Sequence, residues 1–212
     1  MNFYEPDIGL ALREPESLSP PAPRSSDQAE VERAVRTLIA AAGDDPDREG
    51  LRDTPARVAK AYREWFVGYG VDPHALLARS FGETAGYEGV VALHDIPVRS
   101  TCEHHMAPIS GVAHVGYLPG ARVVGISKLS RLVDAYARRL QLQERLTQQI
   151  AATLEEALEP RGVAVVIEAK HGCMTTRGVN QPNVAMVTSA WLGEFRTNPD
   201  LRREFMLARS AA

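Results

Sequence analysis

The sequence contains no long apolar segment. No apolar run in its 212 residues approaches the roughly twenty residues that a membrane-spanning helix needs. The N-terminal residues also lack the charged and then apolar stretches of a secretory signal peptide. We therefore expect a cytoplasmic protein that does not associate with a membrane.

Positive charge is not in excess. The chain has 24 lysine and arginine residues against 27 aspartate and glutamate residues, which gives a formal net charge of −3. A nucleic-acid-binding protein usually carries a basic excess on one surface, so we expect no nucleic-acid partner. An anionic small molecule would have to be bound by a local cluster of basic residues.

Cysteine is scarce, and the two cysteines of the chain are Cys102 and Cys173. The cytosol keeps thiols reduced, which disfavours a disulfide between them. Metal binding or nucleophilic catalysis is the better explanation for these two thiols.

The order of the sequence patterns indicates a helical arm in front of a mixed core. Residues 1–25 are rich in proline and serine and lack apolar periodicity, which predicts a disordered tail. Helical periodicity at residues 31–42 and 54–66 predicts two helices in an N-terminal arm at residues 26–85. Residues 86–212 then form the core domain, and no repeat with a solenoid period is present.

Capping residues mark the ends of the two arm helices. Ser26 and Asp27 can each cap the first helix, and Gly43 is placed to end it. Thr54 followed by Pro55 predicts the N-cap and the first position of the second helix.

The core alternates between strand-like and helical patterns. The predicted strands lie at residues 90–98, 112–117, 122–124, 163–171 and 184–191. The apolar faces of two predicted helices are formed by Leu129, Leu132, Val133, Tyr136 and Ala137, and by Leu146, Ile150, Leu154 and Leu158. A last helix begins near Asn198. The prediction is an α+β fold with ββααββ order, an antiparallel sheet and two antiparallel helices.

The segment Cys102-Glu103-His104-His105 combines one thiol with two imidazoles. Together with Cys173, Cys102 and His105 would give a tetrahedral ion three protein ligands and leave the fourth position to water, as in catalytic zinc sites. His104 is not needed as a ligand. From spacing alone an alternative stays open, because isolated cysteines are often small buried apolar residues.

His171 lies two positions before Cys173. In a strand, residues i and i+2 point to the same side, so we expect both side chains to face one pocket. A histidine beside a metal site is either a hydrogen-bonded spectator or a proton carrier.

Predicted helix starts offer sites for an anion and for a nucleobase. Free N–H groups and the helix dipole favour phosphate at such a position. The candidates for phosphate binding are Ser127, Lys128, Arg131 and Arg177. In the arm, Arg57 and Lys60 share a polar helix face, which solvation alone would explain. Glu144, after Gln143, is either a dipole partner or a carboxylate that accepts from guanine.

Four segments in register resemble GTP cyclohydrolase I. They are residues 102–105 (CEHH), 125–131 (GISKLSR), 141–150 (QLQERLTQQI) and 171–178 (HGCMTTRG). The resemblance runs in order from about Asp53 to Phe205. Residues 109–112, Thr175 and Val184 depart from the family pattern, which affects substrate preference and pathway but no ligand or phosphate contact.

The resemblance implies the tunnelling fold, in which ββααββ units of five subunits form a ring and two rings stack into a homodecamer. It also implies a zinc-dependent reaction that converts GTP and water into 7,8-dihydroneopterin triphosphate and formate. This reaction is the first step towards tetrahydrofolate and related pterins.

The resemblance also assigns roles to residues. Cys102, His105 and Cys173 would bind zinc, and His104 and His171 would move protons. Glu144, with Gln143, would hold the guanine edge. The triphosphate would be bound by Ser127, Lys128, Arg131, Arg177 and, from a neighbouring subunit, Arg57 and Lys60.

Other interpretations differ in what they require of the chain. A paralogue that makes the same product for a specialised or deazapurine pathway cannot be separated by sequence. A non-catalytic purine-binding scaffold with a structural zinc would need none of His104, His171 and Glu144. A reductase of a deazapurine nitrile would need a metal-free nucleophilic cysteine and a nicotinamide site, and we identify neither in the sequence.

Overall fold

The computed structural model describes residues 27–82 and 86–209. The helices are α1 (Gln28–Ala41), α2 (Thr54–Trp65), α3 (Pro73–Leu77), α4 (Ile126–Ala137), α5 (Gln143–Leu158), α6 (Gly172–Thr175), α7 (Glu194–Thr197) and α8 (Pro199–Ala208). The strands are β1 (Ser80–Phe81), β2 (Val91–Cys102), β3 (Pro108–Leu118), β4 (Val123–Val124), β5 (Leu140–Gln141), β6 (Gly162–His171) and β7 (Met186–Gly193). The predicted disordered tail at residues 1–25 lies outside the described residues.

The arm helices begin and end close to the predicted capping residues. The Asp27 side chain accepts a hydrogen bond from the backbone N–H of Ala29 at 3.1 Å, and α1 ends before Gly43, whose φ is +91°. Both predicted ends of α1 are therefore confirmed. In α2 the N-cap is Asp53, and Thr54 already belongs to the first turn, so the predicted start was one residue late.

The core sheet has the strand order β5-β2-β3-β6-β7. The four long strands pair antiparallel, which confirms the predicted ββααββ order. The sheet also contains β5, which pairs parallel with the end of β2 and sets Cys102 opposite Gln141. A two-residue strand has no periodicity, so no sequence pattern predicts it. The short predicted strand at residues 122–124 pairs with β1, outside the core sheet.

Both faces of the sheet are covered. All nine apolar residues predicted for the two core helices are buried, and they pack against one face. Each fully buried leucine there contributes roughly 1.5–3 kcal/mol of transfer free energy. On the other face Phe195 of α7 and Phe205 of α8 pack against Ala164 and Val166 of β6. The sheet is therefore a rigid base for residues at its edges and strand ends.

Arg139 is the residue before β5, and its side chain contacts both the arm and the core. Its side chain is 5% exposed, and its Nε donates to the backbone oxygens of Gly68 and Ala135 at 3.1 and 3.0 Å. Its Nη2 donates to the oxygen of Val71, and its guanidinium lies 4.8 Å from the ring centroid of Tyr136. In the part of the chain that the structure describes, these contacts hold the buried cation without a carboxylate, and they fix the chain that leads into β5.

A histidine pair lies under α8, at a bulge in β2. The rings of His94 and His114 are 5.4 Å apart, and His94 lies 5.2 Å from Phe205. Among residues 27–82 and 86–209, neither buried ring nitrogen of His94 has a hydrogen-bond partner. Burial lowers the pKa of both histidines, and the charge of the neighbouring Asp95 opposes this effect.

We expect acid to destabilise the fold through this pair. The unfolded chain binds protons at the ordinary histidine pKa of about 6.5, whereas the folded chain resists them. The free energy of unfolding should therefore fall as the pH drops below about 6.5. Arg209, which also faces the pair, strengthens the effect, whereas Asp95 and Glu168 weaken it.

Urea unfolding followed between about pH 7.5 and 5.5 measures this dependence. The double variant His94→Leu, His114→Val should show a shallower loss of stability with acid than the unchanged chain. Equal slopes for the two proteins would contradict the prediction.

Candidate metal centre

Three potential metal ligands meet at one end of the sheet. The ligand atoms of Cys102, His105 and Cys173 all lie within 4.8 Å of one another. Cys102 is buried, Cys173 is half-buried and His105 is exposed, so the group is closed towards the core and open towards solvent. Two thiols, one imidazole and an open side suit a zinc ion whose fourth ligand is water.

A tight turn brings Cys102 and His105 together. The N–H of Cys102 donates to the oxygen of Ala107 at 2.8 Å, and the N–H of Met106 donates to the oxygen of Cys102 at 2.8 Å. Met106 adopts a φ of +52°, which lets the chain reverse before β3. Because Cys102 also belongs to the ladder with β5, the turn is anchored to the sheet.

Cys173 reaches the cluster from a helical turn, not from a strand. Strand β6 ends at His171, and α6 begins at Gly172, so the expectation that His171 and Cys173 lie in one strand was wrong. A Cβ on Gly172 would lie 3.0 Å from Cδ of Pro108, so the backbones pack closely where the chain leaves the sheet. The Thr176 hydroxyl donates to the oxygen of Gly172 at 2.7 Å and closes the turn.

The surroundings of Cys173 oppose ionisation of its thiol. Burial raises its pKa, the nearby Cys102 raises it further, and the positive charge of Arg177 acts in the opposite direction. A bound cation favours the thiolate form, so metal binding would reverse this balance.

Both predicted proton carriers lie beside the ligands. His104 is exposed, and its ring stands perpendicular to that of His105 at a centroid distance of 6.2 Å. His171 is half-buried, and its Nε2 lies 2.8 Å from Oε1 of Gln143. Burial lowers the pKa of His171, and the negative charge of Glu144 opposes this.

Gln143 and Glu144 open α5 in contrasting environments. Gln143 is 1% exposed, and its Nε2 donates to the backbone oxygens of Ile167 and Met186 at 3.1 and 3.0 Å. Glu144 is exposed and belongs to the first turn of the helix. The Glu144 carboxylate is therefore accessible to a ligand, whereas the Gln143 amide is enclosed by protein.

The predicted phosphate-binding residues lie in three places. Ser127, Lys128 and Arg131 are in the first two turns of α4, and Arg177 follows α6. Arg57 and Lys60 are exposed on α2, where Arg57 forms an ion pair with Asp53 at 3.2 Å. Within residues 27–82 and 86–209, neither arm residue hydrogen-bonds to the metal-centre residues.

An ion pair that sequence reasoning did not identify ties the ligand turn to α5. Arg145 Nη2 lies 2.6 Å from Oε2 of Glu103, and the N–H of Glu103 donates to the oxygen of Gln141 at 3.1 Å. Both side chains belong to segments that carry the family resemblance, but their pairing depends on the parallel β5 ladder. No spacing rule relates them.

Comparisons with known proteins agree on one family. A family model described as GTP cyclohydrolase I matches residues 31–209. GTP cyclohydrolase 1 of Maricaulis maris (strain MCS10) is 59% identical over 177 residues, which cover 84% of this chain and 86% of the relative. GTP cyclohydrolase 1 of Hyphomonas neptunium (strain ATCC 15444) is 52% identical over 187 residues, which cover 88% of this chain and 91% of the relative.

Among solved structures, the apo form of the archaeosine synthase QueF-Like is 22% identical to the chain. The matched region covers 50% of this chain and 96% of the solved chain, with a TM-score of 0.42. None of the helices in the described ranges has the length and apolar character needed to span a bilayer.

Proposed function

Because the chain belongs to the GTP cyclohydrolase I family, we propose that it converts GTP and water into 7,8-dihydroneopterin triphosphate and formate with the help of zinc. The chain is an enzyme with GTP as its substrate, and its ββααββ core is the tunnelling fold. Neither of the two relatives described above supports the alternative of a non-catalytic purine-binding scaffold. The observation that carries the zinc chemistry is the convergence of Cys102, His105 and Cys173 within 4.8 Å.

Cys102, His105 and Cys173 would hold the zinc ion. When bound, such an ion lowers the pKa of a coordinated water to about 7 and thereby supplies a nucleophile at neutral pH. The exposed side of the cluster, at His105, leaves room for substrate next to the ligands.

The side chains around the cluster would orient GTP and move protons. The Glu144 carboxylate would accept from the ring N–H and amino group of guanine, and so place C8 near the ligands. His104 and His171, which are close in sequence to the ligands His105 and Cys173, would transfer protons during ring opening and the later rearrangement of the ribose.

The triphosphate would be bound by a local basic cluster. GTP brings about four negative charges to a chain whose own net charge is −3, so charge-assisted hydrogen bonds must come from nearby residues. The proposed contacts are Ser127, Lys128, Arg131, Arg177, Arg57 and Lys60. We propose that the last two come from a neighbouring subunit, because they lie on the arm and have no hydrogen bond to the metal centre of their own described chain.

Formate release from GTP by the purified protein tests the proposal. The assay is run with and without a chelator, alongside fluorescence of the oxidised pterin. Formate and pterin that are both lost on chelation and restored by zinc are the expected result. Formate without pterin would show arrested or diverted chemistry, and the absence of both would overturn the proposal.

We propose a homodecamer of two stacked pentamers. Within the described residues, β7 pairs only with β6, and β2 pairs only with β3 over most of its length. Unpaired strand edges are templates for pairing with another chain. The apolar side chain of Val187 on β7 is 59% exposed in the single chain. A neighbouring subunit in the assembly would cover it.

Light scattering should therefore give a mass about ten times that of the 23.2 kDa chain. If the active site is shared, coexpression of Arg57→Ala with Cys173→Ser should give mixed assemblies that are more active than either variant alone. A monomer, or mixed assemblies without regained activity, would contradict the shared site.

The product would enter tetrahydrofolate or related pterin synthesis. A cytoplasmic location stays a prediction, and it agrees with a site that needs reduced thiols.

A further inference from the structure

The orientation of the Gln143 amide is fixed by its neighbours. Its nitrogen lies 3.1 Å from the oxygen of Ile167, 3.0 Å from the oxygen of Met186 and 3.2 Å from Oγ1 of Thr188. Two of these neighbours are carbonyl oxygens, which only accept hydrogen bonds. Turning the amide over would set its oxygen against both carbonyls in a buried site, which costs unmade hydrogen bonds and repulsion.

The amide oxygen of Gln143 must therefore face His171. It lies 2.8 Å from Nε2 of His171, and an amide oxygen can only accept. His171 Nε2 must then carry the hydrogen. In a neutral imidazole the other nitrogen, Nδ1, is left with the free lone pair.

A second layer of contacts keeps this arrangement rigid. The Thr147 hydroxyl donates to the backbone oxygen of Gln143 at 2.8 Å and lies 2.7 Å from the Thr188 hydroxyl. Gln143 is thus held by α5, β6 and β7 at once. With both amide hydrogens directed at protein acceptors and 1% exposure, the Gln143 side chain has no hydrogen left for a guanine.

We infer that the Gln143 side chain is a positioning group for His171 and not a substrate contact: its oxygen accepts a hydrogen bond from Nε2 of His171 and so fixes the orientation of the ring. This role rests on the proposed function, in which His171 moves protons. It revises the sequence expectation that Gln143 shares guanine binding with Glu144.

The variant Gln143→Met separates the two roles, because methionine keeps the length and volume of the side chain but has no amide. We expect kcat to fall on the order of 100-fold, whereas the Kd for GTP, measured on the chelated protein, stays within about twofold. Glu144→Ala is the matched comparator at the next position and should weaken GTP binding strongly. A loss of GTP affinity in Gln143→Met as large as in Glu144→Ala would overturn the inference.

A double-variant cycle distinguishes positioning from a general structural effect. If Gln143 acts through His171, adding Gln143→Met to His171→Ala should cause no further loss of kcat. Additive losses would overturn the inference.

The hydrogen position is also measurable on the unchanged protein, without any activity. Magic-angle-spinning NMR of protein labelled with ¹⁵N-histidine shows which ring nitrogen carries hydrogen, and the His171 signals are those that disappear in His171→Ala. Hydrogen on Nε2 is expected, and hydrogen on Nδ1 alone would overturn the inference even if Gln143→Met does not fold. Since this measurement needs no turnover, it is separate from the formate assay that tests the proposed function.

Discussion

Replacing Cys173 with serine should lower formate release from GTP by at least about 10³-fold, because metal-ion catalysis supplies several kcal/mol of barrier lowering. A serine hydroxyl keeps the size of the side chain but does not ionise at neutral pH, so it is a poor zinc ligand. Cys173 is the better position to change, since it is half-buried. Cys102 is 5% exposed and packs in the core, where a substitution would also disturb folding.

Metal content and formate release are measured together on the same preparation. Thr175→Val, in the same helical turn, is the matched control and should keep both, because Thr175 is not part of the proposed ligand or phosphate-binding set. Full activity of Cys173→Ser with one metal ion per chain would show that Cys173 is not a ligand.

Replacing His104 with alanine should leave the metal bound and still lower turnover by roughly 10²- to 10⁴-fold, the range for loss of a general acid or base. The His104 ring is exposed and next to His105, and the three proposed ligands meet without it. Its removal should therefore disturb neither the core nor the ligand set. The reaction step that slows should be ring opening or the rearrangement that follows it.

His74→Ala provides the histidine control. His74 is exposed on α3 and lies 2.9 Å from Glu156, which is about 20 Å along α5 from Gln143. This variant should release formate at the unchanged rate. If His104→Ala instead loses metal in parallel with activity, His104 is a ligand and the assignment of His105 fails.

The helices of the core were predictable because their apolar faces repeat with the helical period. Every residue assigned to those faces in α4 and α5 is buried. The arm was less predictable: Leu38 is one of the apolar residues behind the helical periodicity at residues 31–42, and it is 65% exposed. Periodicity indicates which face of a helix is apolar. It does not indicate whether the same chain or another copy of it covers that face.

The residue types of the metal centre were also visible in the sequence. Two cysteines and neighbouring histidines in a chain with little cysteine indicated a metal ligand set, and the structure brings Cys102, His105 and Cys173 together. The stated reason for Cys173 was nevertheless wrong, because the chain turns into a helix at Gly172. Gly172 packs closely against Pro108 at that turn, and no local sequence pattern predicts this contact.

The sequence by itself determined the amphipathic core helices, the order of the long strands and the chemical types at the metal centre, because each depends on neighbours a few positions apart. Only the tertiary structure decided the β5 ladder, the ion pair between Glu103 and Arg145, and the orientation of the Gln143 amide. The amide contacts carbonyls on β6 and β7 that are 24 and 43 positions away in the chain. Which donors and acceptors meet over such separations depends on strand pairing and burial, so the direction of a side chain's hydrogen bonds follows from the assembled sheet.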